Sequence, residues 1–88
     1  MAEVLYAGGF LEEMAQVETK RVRDNILDAT ELLAVIPQMG STNLPRPISE
    51  KYGADVRKLI VSPFLMLYKL LSGDRVLVLG VMHNRAAY

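Results

Sequence analysis

The 88-residue sequence predicts an α+β fold: a short N-terminal strand, a helical layer, and an antiparallel sheet whose C-terminal part is a three-stranded meander. Three observations carry this expectation. Apolar residues recur with a helical period between Leu11 and Ile36, then with a period of two from Val56 onward. Pro37 stops the helical region, because its ring removes a backbone donor and clashes with the preceding turn. Ser72-Gly73-Asp74 separates two apolar runs and supplies the glycine that a tight hairpin uses at positive φ.

The elements follow in order. Glu3-Val4-Leu5-Tyr6-Ala7 is rich in strand formers and Gly8-Gly9 ends it, which predicts the first strand. From Leu11 the apolar positions Leu11, Ala15, Val22, Ile26, Ala29, Leu33 and Ile36 lay one stripe along a 3.6-residue period. No Gly or Pro interrupts residues 10–36, which reads as one long helix. The wholly polar stretch Glu18-Thr19-Lys20-Arg21, with Thr19 as a candidate cap, reads equally as a junction between two. Residues 38–53, with two Gly and two Pro, read as a loop too long for a simple connection, and long loops are often functional. Val56–Val61, Phe64–Leu71 and Arg75–Met82 are then three strand-like runs.

Composition bounds the function. Ten Lys+Arg balance ten Asp+Glu, and 51% of residues are hydrophobic, as expected for one small globular domain over residues 1–88. The absence of cysteine excludes a disulfide framework, a thiolate zinc site and a nucleophilic thiol, and makes a cytoplasmic setting the default expectation. No apolar run approaches the roughly 18 residues of a membrane span, and no basic segment precedes an apolar one at the N-terminus, so neither export nor membrane association is expected. Zero net charge argues against a general polyanion binder.

That balance hides a split. Residues 1–44 carry three bases and seven acids, net −4, and residues 45–88 carry seven bases and three acids, net +4. Clustered bases mark a working surface, or the two halves touch and neutralise each other; the sequence leaves both open.

The final hairpin is apolar on both sides. Phe64, Met66, Tyr68 and Leu70 alternate with Leu65, Leu67, Lys69 and Leu71, and Leu77, Leu79 and Val81 alternate with Val76, Val78 and Met82. Two short helices cover only one face of such a sheet. The second face is therefore expected to be closed by a partner or another copy.

The ordered set Val56-Arg57-Lys58-Leu59-Ile60-Val61-Ser62-Pro63-Phe64, Leu67-Tyr68-Lys69, Gly73-Asp74-Arg75-Val76-Leu77-Val78-Leu79 and His83-Asn84-Arg85 resembles the RelE/ParE toxin superfamily. The likeness spans essentially the whole chain, since the short first strand and helical region also match the family order. It implies a helical hairpin turning near Glu18 to Lys20, and a toxin of a type II toxin-antitoxin module, of the kind associated with plasmid stabilisation. A cognate antitoxin folds onto such a toxin, alone or within a heterotetramer. RelE-like members cleave mRNA in the ribosome with clustered Lys and Arg, whereas ParE-like members poison DNA gyrase and need no nuclease site.

Matched residue by residue, Lys58 falls where the RelE branch places a strand lysine, but Val56 occupies the partner lysine position and Leu65 that of a catalytic arginine. Arg85 is the counterpart of a C-terminal arginine, and His83 resembles the histidine of ParE-like and other branches. RNA cleavage needs preorganised cations around the phosphate and a group to take the 2′-hydroxyl proton. Losing one such contact costs about two to three powers of ten in rate, so two apolar replacements weigh against the nuclease.

The resemblance thus implies a ParE-like gyrase inhibitor, with Arg57, His83 and Arg85 facing the target. The runner-up is a ribosome-dependent mRNA endonuclease with Lys58, Arg85, His83 and Tyr88 as its catalytic set. A third reading is a degenerate, nontoxic member that only binds its antitoxin. Neither a cofactor nor a metal is implied. The two-sided hairpin makes Leu65, Met66, Leu67 and Leu71 the expected antitoxin-binding residues, with homo-oligomerisation as the other way of covering them.

Each residue also has a plainer role. A lone histidine at a strand end is more often a hydrogen-bonded structural residue than a general base. Adjacent Arg57 and Lys58 point to opposite faces of their strand. Phe64 and Tyr68 share a face with Met66 and read as core, and Tyr88 reads as a terminal residue.

Overall fold

The computed structural model describes residues 1–87. The order is β1 (Glu3–Tyr6), α1 (Gly8–Ala15), α2 (Lys20–Val35), α3 (Arg46–Tyr52), β2 (Val56–Val61), β3 (Phe64–Leu71), β4 (Arg75–His83) and a 3₁₀ turn over Asn84–Ala87. One sheet of order β1-β4-β3-β2 forms the centre. The β2-β3-β4 meander is antiparallel, and β1 joins β4 in parallel, with Glu3 opposite Arg75 and Tyr6 opposite Val78.

The helical region is a hairpin, as the family likeness implied, and not one long helix. Gln16 to Thr19 form the break. Thr19 sits at the N-cap in extended conformation (φ −85°, ψ 118°), but its hydroxyl caps nothing. The Arg23 guanidinium instead donates to the Val17 carbonyl, and to that of Glu18 at 3.2 Å, satisfying carbonyls that the break leaves without helical partners. The break also resets the apolar stripe. α1 buries Phe10 and Met14, followed by Val17, while Leu11 and Ala15 face solvent; α2 buries Ile26, Ala29, Thr30 and Leu33. Ile36 falls outside α2 and is exposed, because the residue before a proline is pushed out of the helical region.

Both helices cover one face of the sheet, where Met66, Tyr68, Val76, Val78 and Val81 pack with Phe10, Met14, Ile26 and Leu33. The alternation in β4 is broken once. Leu67 lies opposite Gly80 but Tyr68 opposite Val78, so Leu79 is an extra residue in a bulge. Val81 therefore joins the face of Val76 and Val78, and Met82 the face of Leu79, the reverse of the strict alternation read from the sequence.

The second face is closed by the chain itself. The segment expected to be a loop contains α3, which starts with Pro47 in its first turn and ends at Gly53, whose φ of 97° suits a helix terminator. Ile48 inserts against Val56, Leu65 and Leu67, with Leu44, Tyr52, Leu79 and Met82 around them. Leu65, Met66 and Leu67 are each 0% exposed. Burial at about 1.5–3 kcal/mol per large apolar side chain, which the sequence reading assigned to a partner, is thus supplied within the chain.

Candidate functional site

The end of the sheet that carries the Ser62-Pro63 turn gathers the unusual side chains. His83 closes β4 directly opposite Phe64, the first residue of β3, and the two rings meet edge to face at 5.6 Å between centroids. The Arg85 backbone N–H donates to His83 Nδ1 at 3.2 Å. Asn84 N–H donates to the Pro63 carbonyl at 2.9 Å, tying the 3₁₀ turn to the β2-β3 connection.

Beside this pair lies a cleft of about 290 Å³, lined by Glu13, Gln16 and Val17 from the end of α1 and by Phe64, Val81, Met82 and His83 from the sheet. β1 runs out at Tyr6, opposite Val78, and α1 flanks β4 beyond that point. There Glu13 Oε1 accepts the Val81 backbone N–H at 3.0 Å, standing in for a neighbouring strand. Gly80 makes this approach feasible: a Cβ on it would lie 2.7 Å from Glu13 Oε1. Glu13 escaped the sequence reading. Its one signal was Gly80, a glycine inside an otherwise apolar strand, which marks a bulge or a close approach.

The other candidates scatter. Cross-strand partners share a face, so Lys58, opposite the buried Leu67, lies on the α3 face, while His83, opposite Phe64, lies on the helical-hairpin face. Arg57 points the other way from Lys58, as expected, and its guanidinium donates to the carbonyls of Gln38 at 3.2 Å and Gly40 at 3.0 Å. That places Arg57 in the framework. Val56 and Leu65, at the two positions where the resemblance implied cations, are both fully buried. His83 and Arg85 come together and are exposed, and Tyr88 lies outside the described residues. Of the expected antitoxin-binding set, Leu65, Met66 and Leu67 have no surface to offer and Leu71 is half-buried, because α3 and the helical hairpin cover the two faces.

Among the described residues no group of three or more His, Cys, Asp or Glu could hold a metal, and no helix is long and apolar enough to cross a membrane.

A helical hairpin on a sheet of this order is the fold of small toxin proteins. The E. coli RelBE toxin-antitoxin complex, in its intact form, contains a chain that matches at a TM-score of 0.68 and 16% identity, covering 94% of this chain and 96% of that one. YafQ from E. coli strain BL21(DE3) matches at 0.62 and 17%, covering 100% and 99%. At these identities the likeness concerns the fold. No curated protein sequence matches significantly. The family model described as the ParE toxin of the type II toxin-antitoxin system parDE matches residues 7–88, and the chain belongs to that family.

Proposed function

We propose that this toxin acts as a ParE-like inhibitor of DNA gyrase, using the exposed end of the sheet at His83 and Arg85, and that a cognate antitoxin holds it inactive. The observation that carries this reading is the dispersal of the cations a ribonuclease would need. Val56 and Leu65 are buried apolar side chains, and Lys58 and His83 lie on opposite faces of the sheet. Phosphoryl transfer within RNA depends on positive charges converging on one phosphate, so this arrangement favours a protein that acts by binding. Zero net charge agrees, since entry into an RNA-lined site is favoured by positive charge. The antitoxin reading rests on family membership and on the RelBE complex, in which a toxin of this fold is bound to its antitoxin.

Two assays run side by side test the target. Purified protein is expected to inhibit gyrase supercoiling and to leave ribosome-bound mRNA intact, with inhibition weakened by His83→Ala or Arg85→Ala. Codon-dependent cleavage of ribosome-bound mRNA, abolished by Lys58→Ala or Arg85→Ala, overturns the gyrase reading in favour of the endonuclease.

A further inference from the structure

We propose that the cleft between the end of α1 and the far end of β4 receives an arginine side chain from a partner protein, with Glu13 as its counter-charge. Glu13 is half-buried, and the Val81 N–H has already oriented its carboxylate. That bond uses one acceptor position of Oε1. Oε2 makes no hydrogen bond among the described residues, and no described cation lies within ion-pair distance of it. Arg23, at the turn below, is engaged by the Val17 and Glu18 carbonyls. A preoriented carboxylate at an apolar cleft without its own cation is complementary to a cationic group.

Shape and lining narrow the class. A volume of about 290 Å³ stands at the foot of the ~300–1,000 Å³ range of small-molecule pockets, so it suits one long side chain and not a nucleotide. Val17, Val81 and Met82 offer apolar surface for a methylene stem, as long basic side chains require when only their heads are polar. Phe64 and His83 provide aromatic surface on which a planar guanidinium stacks, and the Gln16 carboxamide adds an acceptor beside the carboxylate. A planar fork of donors uses all of these at once; a lysine ammonium uses only the charge. The acidic balance of residues 1–44, from which Glu13, Gln16 and Val17 come, favours a basic partner segment over an acidic one.

The test is a titration of the ¹⁵N-labelled chain, followed by NMR, with N-acetyl-arginine methylamide, its lysine analogue and its uncharged citrulline analogue. The arginine probe is expected to shift the amides of Gln16, Val81, Met82 and His83, and to bind more tightly than either analogue. Glu13→Gln keeps an acceptor for the Val81 N–H while removing the charge, and is expected to weaken the arginine probe by at least about tenfold, the effect of losing a charge-assisted hydrogen bond. Glu12→Gln, on the exposed side of α1, should leave binding unchanged. Equal binding of the citrulline or lysine probe, shifts elsewhere, no shifts up to the solubility limit, or an unaffected Glu13→Gln variant would each overturn the assignment. Gyrase takes no part in this titration, so its outcome is separate from that of the supercoiling assay.

Discussion

The Tyr68 hydroxyl donates a hydrogen bond to the Pro37 carbonyl at 2.8 Å, tying the middle of β3 to the residue that stops the helical region. The same oxygen accepts the Gly40 N–H at 2.8 Å, and Arg57 holds the carbonyls of Gln38 and Gly40. One residue further on, Ser41 exchanges two backbone hydrogen bonds of 2.9 Å with Lys58 on the outer edge of β2. The chain thus crosses from the helical face to the other face around this edge, and the Tyr68 cluster fixes where it does so.

Tyr68→Phe should remove the bond to Pro37 and leave the buried Gly40 N–H without a partner. A loss of about 1–3 kcal/mol is expected, read from urea unfolding at neutral pH.

The same hydroxyl carries a pH signature. Burial pushes the Tyr68 phenol above its ordinary value of 10.0, against smaller opposing effects of the Gly40 N–H and the Arg57 charge. An acid that holds its proton more tightly when folded contributes nothing to pH dependence below the unfolded value; above about pH 10 the unfolded chain ionises first and stability falls. Unfolding free energies at pH 8 and just above pH 10 should show this decline in the native sequence, and a smaller one in Tyr68→Phe.

Gly40→Ala is expected to destabilise through overpacking. The added Cβ would lie 2.6 Å from the Tyr68 hydroxyl oxygen and 2.8 Å from the Lys58 carbonyl oxygen, one a hydrogen-bonded group and the other backbone. A cost of about 1–3 kcal/mol in chemical denaturation is the expected magnitude.

Arg57→Ala separates framework from target contact. With its guanidinium holding two loop carbonyls, its loss should cost about 1 kcal/mol of stability and leave inhibition per folded molecule unchanged. A drop in inhibition at full folding would return Arg57 to the target surface.

Leu67→Glu is expected to abolish folding, since it places a carboxylate where Ile48, Val56 and Leu65 leave no exposed surface. Leu65→Ala should cost about 2–5 kcal/mol. A well-folded Leu67→Glu protein by circular dichroism and NMR would show that α3 does not seal this face.

The strand boundaries were legible because period-two alternation and the Ser72-Gly73-Asp74 turn marked them: β2 and β3 match the expected runs, and β4 extends one residue further, to His83. One feature was left open and two were hidden, each for a physical reason. The break at Gln16–Thr19 has no Gly or Pro, so periodicity alone left one helix and two equally open, and only the family likeness implied the hairpin; Arg23 reaches back across the break. α3 is about two turns long, with Pro45 just before it and Pro47 in its first turn, so composition read it as loop, although Ile48 is what closes the second face. The bulge at Leu79 swaps the faces of Val81 and Met82, and the Val81 N–H beside it is held by Glu13, 68 positions away in the chain. At the site, His83 and Arg85 were visible as a closing motif, whereas the carboxylate beside them was not.

The parallel pairing of β1 with β4 sets a clock on this toxin. During synthesis, 72 residues separate Glu3 from its strand partner Arg75, and at about 5–20 residues per second the ribosome takes roughly 4–14 s to cover that distance. Throughout this interval β1 has no strand to join, β3 lacks its central neighbour and the cleft beside His83 has no far wall. Such long-range closure also slows folding once the segment emerges. The complete sheet therefore arises late in each round of translation, and any partner present during synthesis meets a chain whose central pairing is still open.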